Sequence, residues 1–349
     1  MIDKAFMTEY ELQFLKPAKT SRNEISRKTS FFIHLINEQG HKGIGECAPI
    51  FGLSMEDEGE LRSKINEVIY LLNHGHDPTN LELSKFPSLS FALDCACKMI
   101  GSSGDMQVFE NSFSLGQSSI AINGLVWIDS LGGMLDQLNQ KIEDGFSCIK
   151  LKIGSHDFEA ELELLEKIRE DYGHKIELRL DANGAFDVKD ALIKLEELSK
   201  YQIHSVEQPI MAGQWKEMAE IAKHSPIPIA LDEELIGIEK TMVPKLLETI
   251  HPQFIIIKPS LVGNFSFCDY WVRSAETIGI DWWGTSALES NVGLSAIAQW
   301  VSTQNPKIPQ GLGTGQIYSN NIPSPLELKG DELWYGSSAW NLEDIQWQA

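Results

Sequence analysis

Positive charge is what this chain of 349 residues has least of. Lysine and arginine number 29 against 50 aspartates and glutamates, a formal net charge of −21. A surface of that sign repels nucleic acid and anionic membranes, so neither is expected as a partner. An anionic ligand then depends on a local cationic pocket or on a metal. Cysteine is also scarce. The five, Cys47, Cys95, Cys97, Cys148 and Cys268, make no CxxC pair and no zinc-like spacing. Cys95 and Cys97 fall in the apolar stretch FALDCACKMI, where small core residues are expected. No disulfide framework is needed, and a reducing cytoplasm is the expected location. Nowhere is there a run of about 18 apolar residues that could span a membrane. The opening MIDKAFMTEYELQF lacks the apolar core of a signal peptide. What these absences leave is a soluble globular protein, long enough for a barrel of about 250 residues and one smaller domain.

Residues 1–120 show no barrel rhythm. EYELQFL and KTSFFIHLI alternate like strands of an antiparallel sheet. The polar segment KPAKTSRNEISR between them is long for a hairpin and is expected to be a loop. GHKGIGECAPI follows, with glycines that permit a turn and close approach. Helices are expected from Glu56 to Leu72 and from Ser90 to Ile100, which makes this part an α+β domain.

From about Ile122 the pattern changes. GLVWI is a plausible first barrel strand, and five further apolar runs follow: CIKLKIG, IELRLDAN, HSVEQPI, IPIALDE and FIIIKPS. Each carries an ionisable residue near its C-terminal end: Lys152, Asp181, Glu207, Asp232 and Lys258. By residue number the steps between them are 29, 26, 25 and 26, the length of one strand-helix unit in a barrel of parallel strands. The runs are apolar until their last residues, as strands buried on both faces are. Amphipathic helices such as FEAELELLEKIRE and VKDALIKLEELSKY alternate with them. DWWGTSALE is expected as the seventh strand and QGLGTG as a short eighth. The expected fold class is therefore α/β, a modified, TIM-like (β/α)8 barrel over residues 121–316. The α+β cap of residues 1–120 is joined by the tail 317–349, with PLELKGDELWYG returning to pack on it.

In such a barrel the C-terminal strand ends carry the active site. Asp181, Glu207 and Asp232 then converge from adjacent strands. Three carboxylates so close repel one another, and a hard divalent cation removes that cost. Lys150 and Lys152 are two apart and point to one side of their strand. Lys258 lies on the far side of the acids. A buried lysine near other cations has a lowered pKa and serves as a base near neutral pH. Lysines flanking a metal-held carboxylate suggest proton abstraction beside that carboxylate, with the metal stabilising the enediolate.

This pattern resembles the enolase superfamily over nearly the whole chain. A cap, then a barrel with KxK on its second strand, acids on the next three and a lysine on the sixth, looks like its muconate-lactonizing subgroup. The resemblance implies Mg2+, with Mn2+ as a substitute, held by Asp181, Glu207 and Asp232. It implies Lys152 as base, Lys258 as the opposing lysine, and Lys150 as the residue that lowers the pKa of Lys152. Asn183, Gln208 and Glu233 would support the ligands. KPSLVGN, TSALESNVG and GLGTG look most like the o-succinylbenzoate synthase family. The implied reaction is dehydration of 2-succinyl-6-hydroxy-2,4-cyclohexadiene-1-carboxylate, a small carboxylate, in menaquinone biosynthesis. Dipeptide epimerases of this subgroup carry DxD on the eighth strand, where this chain has Gly313, Thr314 and Gly315. Relatives with a histidine base on the seventh strand differ too, since DWWGTSALES has none. N-succinylamino acid racemases share the machinery and are the alternative.

The remaining candidates are substrate contacts. Ser286 and Glu289 end the seventh strand, and Ser286 either donates to a substrate carboxylate or bonds within its loop. Gly313 and Thr314 lie on the eighth. Arg22 and Arg27, in the polar segment, are either surface residues or partners of a succinyl carboxylate. Phe51 and Leu53 are either an apolar lid or interface core. His204 and His251 are expected at strand starts, the stability face of the barrel.

Overall fold

Alternating apolar residues near the N-terminus build an antiparallel sheet of β1 (Ile2–Lys19), β2 (Glu24–Asn37) and β3 (Lys42–Cys47), in that order. The computed structural model describes residues 2–19, 24–102 and 106–345. Phe31, Ile33 and Leu35 of β2 share a core with Leu61, Ile65, Val68 and Leu72 of helix α1 (Glu58–Asn73) and with Leu89, Ala92, Leu93 and Ala96 of α2 (Pro87–Gly101). Phe32, on the opposite face, joins the larger core of the barrel. Helix α1 begins where it does because the Asp57 carboxylate accepts the free N–H groups of Gly59 and Glu60.

The described parts of the polar segment, residues 16–19 and 24–27, are strand, where a loop is expected. β1 and β2 continue as a ribbon beyond a register shift between Gln13 and Ala18, pairing Ala18 with Ile25 and Lys19 with Glu24. Most of its described side chains face solvent. Such a ribbon has no apolar face, so no alternation marks it in the sequence.

The glycines of GIGEC have a packing cause. A Cβ on Gly43 would stand 2.0 Å from the Ala96 carbonyl oxygen, and one on Gly45 would stand 1.8 Å from that of Ala92. β3 therefore lies directly on the backbone of α2, which only glycine permits.

After the short strand β4 (Ile120–Ala121), parallel strands alternate with helices. These are β5 (Gly124–Val126), α3 (Leu131–Glu143), β6 (Cys148–Lys152), α4 (Phe158–Tyr172), β7 (Glu177–Asp181), α5 (Val188–Ser199), β8 (Ser205–Glu207) and α6 (Trp215–His224). Then come β9 (Ile229–Leu231), α7 (Val243–Ile250), β10 (Phe254–Ile257), the one-turn α8 (Pro259–Val262), α9 (Phe265–Thr277), β11 (Asp281–Gly284) and α10 (Asn291–Thr303). β5 to β11 pair in sequence order. The eighth rung is reduced to two bridges. Gln310 pairs with Ile122 and Gly311 with Thr285, which closes the ring between β11 and the approach to β5. Below the strand ends the interior is filled by Ala230, Ile256, Trp283 and Arg179, whose guanidinium lies 4.6 Å from the Trp283 ring. The barrel is thus a packed core with a polar mouth.

The tail divides. Residues 317–320 run along β1: Leu15 N–H donates to Ile317 O at 2.8 Å and Ser319 N–H to Gln13 O at 2.9 Å. PLELKGDELWYG forms the hairpin β12 (Leu326–Lys329) and β13 (Glu332–Tyr335), which meets the end of the 1–120 segment, the Tyr335 ring lying 6.0 Å from that of Phe113. β13 pairs with β4, and the Asp331 carboxylate accepts from Ser147 Oγ at 2.7 Å, beneath the start of β6. Its partner edge is the short strand that precedes the barrel, too short to announce itself in sequence.

The tight seat of β3 yields a test. Gly45→Ala should lower stability by at least about 1–3 kcal/mol, as overpacking of a close contact does. Denaturant unfolding measures this. A midpoint equal to that of the parent chain would mean that β3 can lift off α2 without cost.

Candidate active site

Parallel register brings the charges together. Lys152 is paired with Asp181, and Asp181 with Glu207, along three adjacent strands. Asp232 and Lys258 stand just past the ends of β9 and β10. Lys150 and Lys152 both point inward and are buried. Lys150 Nζ donates to Glu207 Oε2 at 2.9 Å and lies 3.0 Å from Asp181 Oδ2. Lys152 Nζ donates to Asp181 Oδ2 at 2.8 Å and to Asn183 Oδ1 at 2.7 Å. Lys258 Nζ donates to Asp232 Oδ2. Acids and ammonium groups thus interleave, three of each.

The pKa directions follow from these contacts. Burial works against the charge on Lys150, but Asp181, Glu207 and Asp232 overcome it and raise its pKa above the ordinary lysine value. Lys258 behaves likewise, burial opposing and Asp232 and Glu207 prevailing. For Lys150 and Lys258 the direction is upward because their nearest charged neighbours are carboxylates. Burial also opposes the charge of Asp181, yet Lys150 and Lys152 hold its carboxyl well below the usual range. Glu207 is pushed up by burial and then by Asp181, with Asp232 adding to it.

Backbone geometry fixes the acids. Asn183 has φ +46° and Gln208 φ +39°, both in the left-handed region. The Asn183 N–H donates to Asp181 Oδ1 at 3.0 Å, and its side-chain amide donates to Glu233 Oε1 at 3.1 Å. Gln208 Oε1 accepts from the N–H groups of Asp232 and Glu234, while its amide donates to Glu234 Oε2 at 3.0 Å. Glu234, which the sequence did not single out, ties this network to the Gly213 N–H at 2.8 Å. In sequence it reads as one more acid in a turn.

Above the charges lies a pocket. Lys150, Lys152, Asp181, Asn183, Glu233 and Lys258 form its polar floor. Ile50, Leu53, Leu125, Trp127 and Leu288 supply apolar wall, and the Trp127 ring centre is 5.7 Å from Lys152 Nζ. Ser286, Gly313 and Thr314 also face it, the two hydroxyls 2.5 Å apart. Asn123, Leu125 and Trp127 were missed because the first strand carries no charged residue.

Other candidates lie elsewhere. Glu289 is fully buried behind the wall, its Oε2 accepting from the Ala287 N–H at 2.7 Å. Its expected substrate contact is therefore corrected: the chain turns at Leu288, φ +62°, and sends Glu289 away from the pocket. Arg27 is exposed and pairs with Glu11 at 3.1 Å, also away from the pocket. Arg22 lies outside the described residues. Leu53 lines the pocket, whereas Phe51 packs on the cap core. His204 precedes β8 and lies 4.0 Å from Glu177 at the other end of the barrel.

Among the described residues, no three His, Cys, Asp or Glu side chains stand close enough together to grip an ion as arranged. Lys150 and Lys258 occupy the gaps between the acids. No described helix is long and apolar enough to cross a membrane.

Comparison with known proteins agrees with this architecture. Residues 133–330 match the family model for enolase C-terminal domain-like proteins, and residues 4–100 match that for the MenC N-terminal domain. An o-succinylbenzoate synthase from Desulfotalea psychrophila is 39% identical, over 93% of this chain and 96% of the relative. A hydrophobic dipeptide epimerase from Enterococcus faecalis is 27% identical, over 80% of this chain and 81% of its own length. The crystal structure of MenC from Desulfotalea psychrophila superposes with a TM-score of 0.85 at 36% identity, covering 95% of this chain and 99% of the other. With both family models matched in chain order and a synthase relative aligned nearly end to end, this chain belongs to the enolase superfamily, in its o-succinylbenzoate synthase branch.

Proposed function

We propose that the chain dehydrates 2-succinyl-6-hydroxy-2,4-cyclohexadiene-1-carboxylate to o-succinylbenzoate, the product for which its relative from Desulfotalea psychrophila, an o-succinylbenzoate synthase, is named. The observation that carries this is geometric. Lys152 and Lys258 stand on strands separated by the three acid-bearing strands, at the floor of a pocket with apolar and hydroxyl walls. A substrate carboxylate placed over that floor would present its neighbouring C–H to one lysine and its opposite face to the other.

Asp181, Glu207 and Asp232 are the residues that would hold Mg2+, or Mn2+ in its place. The donor set suits a hard cation, being oxygen only. The upward push on Glu207 from Asp181 and Asp232 is the repulsion such a cation relieves. When bound, the ion supplies positive charge against which negative charge can build on the substrate carboxylate. Lys152, in its neutral form, removes the proton from the carbon bearing that carboxylate. The resulting ammonium returns the proton to the departing hydroxyl, so water leaves and the ring becomes aromatic. Lys258 stays protonated and stabilises the opposite face. Asn183 orients Lys152 through its side-chain oxygen, and Ser286 and Thr314 are placed to meet a second polar group of the substrate. Such an enzyme acts on a small soluble carboxylate, and its five unpaired cysteines suit a reducing cytoplasm.

Racemisation of N-succinyl amino acids would use the same facing lysines, each exchanging a proton. The eighth rung favours dehydration over epimerisation of dipeptides, because Gly313 and Thr314 offer no carboxylate to a substrate amine.

Lys152→Ala should keep its fold and lose turnover by about 100- to 10,000-fold, the usual contribution of a general base. Steady-state kinetics beside a thermal melt check this, and an unchanged kcat would remove Lys152 from the chemistry. Asp232→Ala should weaken Mg2+ binding by at least about 10-fold in calorimetric titration. Wild-type affinity in that variant would take Asp232 out of the metal site. Lys258→Arg keeps the charge but cannot act as a base. It should retain part of the dehydration while racemisation of N-succinyl amino acids falls much further, with Lys258→Ala as the control for bulk. Retained racemisation with abolished dehydration would reverse the assignment.

A further inference from the structure

The interface between cap and barrel holds a second cluster of buried charge. Lys28 of β2 and Glu46 of β3 come from the cap, and Glu289 precedes α10 of the barrel. Glu46 and Glu289 are fully buried and Lys28 nearly so. Glu46 is saturated by donors from both domains. Its Oε1 accepts from Ser30 Oγ at 2.7 Å and from the Ser290 N–H at 2.8 Å. Its Oε2 accepts from Ser290 Oγ at 2.6 Å and from the Gly293 N–H at 2.9 Å. A carboxylate of the cap therefore caps a barrel helix, where the helix dipole favours it. Gly293 makes room for this contact, since a Cβ there would stand 2.7 Å from Glu289 Cβ and 3.0 Å from Glu46 Oε2.

Lys28 is different. Its Nζ is buried with no hydrogen-bond partner among the described residues, and the same holds for Glu289 Oε1. The charges that oppose the burial penalty on Lys28 are Glu46 and then Glu289. For Glu289 the leading opposing charge is Lys28. Lys28 thus relies on Glu46 first and Glu289 second, and Glu289 on Lys28 with help from the Ser260 hydroxyl, because an isolated buried charge is costly.

Glu289 is also one residue from the pocket. Its other oxygen holds the Ala287 N–H, the Ser286 hydroxyl accepts from the Leu288 N–H at 3.2 Å, and Tyr318 OH donates to Leu288 O at 2.7 Å. Ser286, Ala287 and Leu288 all line the pocket, and Leu288 is held at φ +62°. Four residues beyond Glu46, the cap reaches Ile50 and then Leu53, which form the facing wall.

We propose that Lys28, Glu46 and Glu289 form an interdomain clasp that positions the Ser286–Leu288 turn against the cap wall, making them positioning residues for substrate binding that never touch the substrate. The clasp follows from the fold, and its kinetic signature rests on the dehydration proposed above.

The test is a double-mutant cycle in the full chain with Mg2+, using Lys28→Met, Glu289→Gln and the pair. Lys28→Met leaves Glu289 without its leading counter-charge, and Glu289→Gln leaves Lys28 with Glu46 alone, so each should lower the melting temperature by roughly 5 °C or more. The pair removes both charges and should recover a large part of that loss, since Glu46 keeps its four donors. In the dehydration assay each single variant should raise KM by about 10-fold while kcat stays within about 3-fold, because the floor is untouched. Additive melting shifts would overturn the clasp. Coupled melting with unchanged KM, or a fall in kcat alone, would overturn its positioning role. Absence of dehydration in the parent chain would sink the proposed reaction, and the melting cycle would still decide the clasp.

Discussion

Everything at the mouth of this barrel depends on Lys150. Its ammonium bridges Asp181 and Glu207, two acids brought side by side by parallel pairing of β7 and β8. Unpaired buried carboxylates in such a place would be driven to take up protons. Lys152 and Lys258 extend the network on either side, donating to Asp181 and Asp232. Such a network adds little net stability, since desolvation offsets most of the attraction. What it provides is order, because each ammonium group fixes the rotamers of the acids it touches. The apolar layer of Ala230, Ile256 and Trp283 beneath carries the packing. Stability and chemistry are thus separated along the strands, with the lower turns packed and the upper ends charged.

The cap is needed for a different reason. The barrel presents floor, hydroxyls and one apolar side, but Ile50 and Leu53 close the opposite side. They can do so only if β3 is held close to the barrel. Gly43 and Gly45 let β3 sit on α2, and Glu46, the next residue, caps α10. A six-residue strand therefore links cap packing, domain docking and pocket shape in consecutive positions.

The charged floor is legible in the sequence because strand periodicity and chemistry coincide there. A regular spacing of apolar runs, each ending in a charge, has few other physical explanations. What is not legible depends on contacts between distant segments or on backbone sign. Glu289 reads as a pocket residue, but the left-handed turn at Leu288 points it away, and nothing in ALES announces a positive φ at leucine. Arg27 is a cation near the right place in sequence, yet it lies on the exposed face of the ribbon and pairs with Glu11. The ribbon itself has no apolar face to declare it. Lys150 and Lys258 carry raised pKa values for a reason that spacing hides: register places carboxylates closer to them than any other cation. Lys28 looks like an ordinary strand lysine until the fold buries it at the interface of cap and barrel, with Glu46 and Glu289 as its counter-charges.

The same floor can serve several reactions, so selection among them falls to the walls. Removal of a proton beside a carboxylate needs a base on one face and positive charge beneath. The outcome then turns on which group the intermediate can lose or regain. A ring that already holds two double bonds and a hydroxyl needs only to lose that hydroxyl, and aromaticity makes the step downhill. The wall then needs little more than to hold the substrate's second polar end, a task suited to paired hydroxyls such as Ser286 and Thr314. Stereochemical inversion asks more, since a proton must arrive on the opposite face and both faces must be served equally. Binding a free amine asks more again, since it needs a carboxylate that the Gly313–Thr314 rung does not provide. A pocket with an apolar ring-sized wall, two hydroxyls and no acid beyond the floor thus matches the least demanding of these reactions. Its specificity rests on how firmly the cap holds the Ser286–Leu288 turn in place.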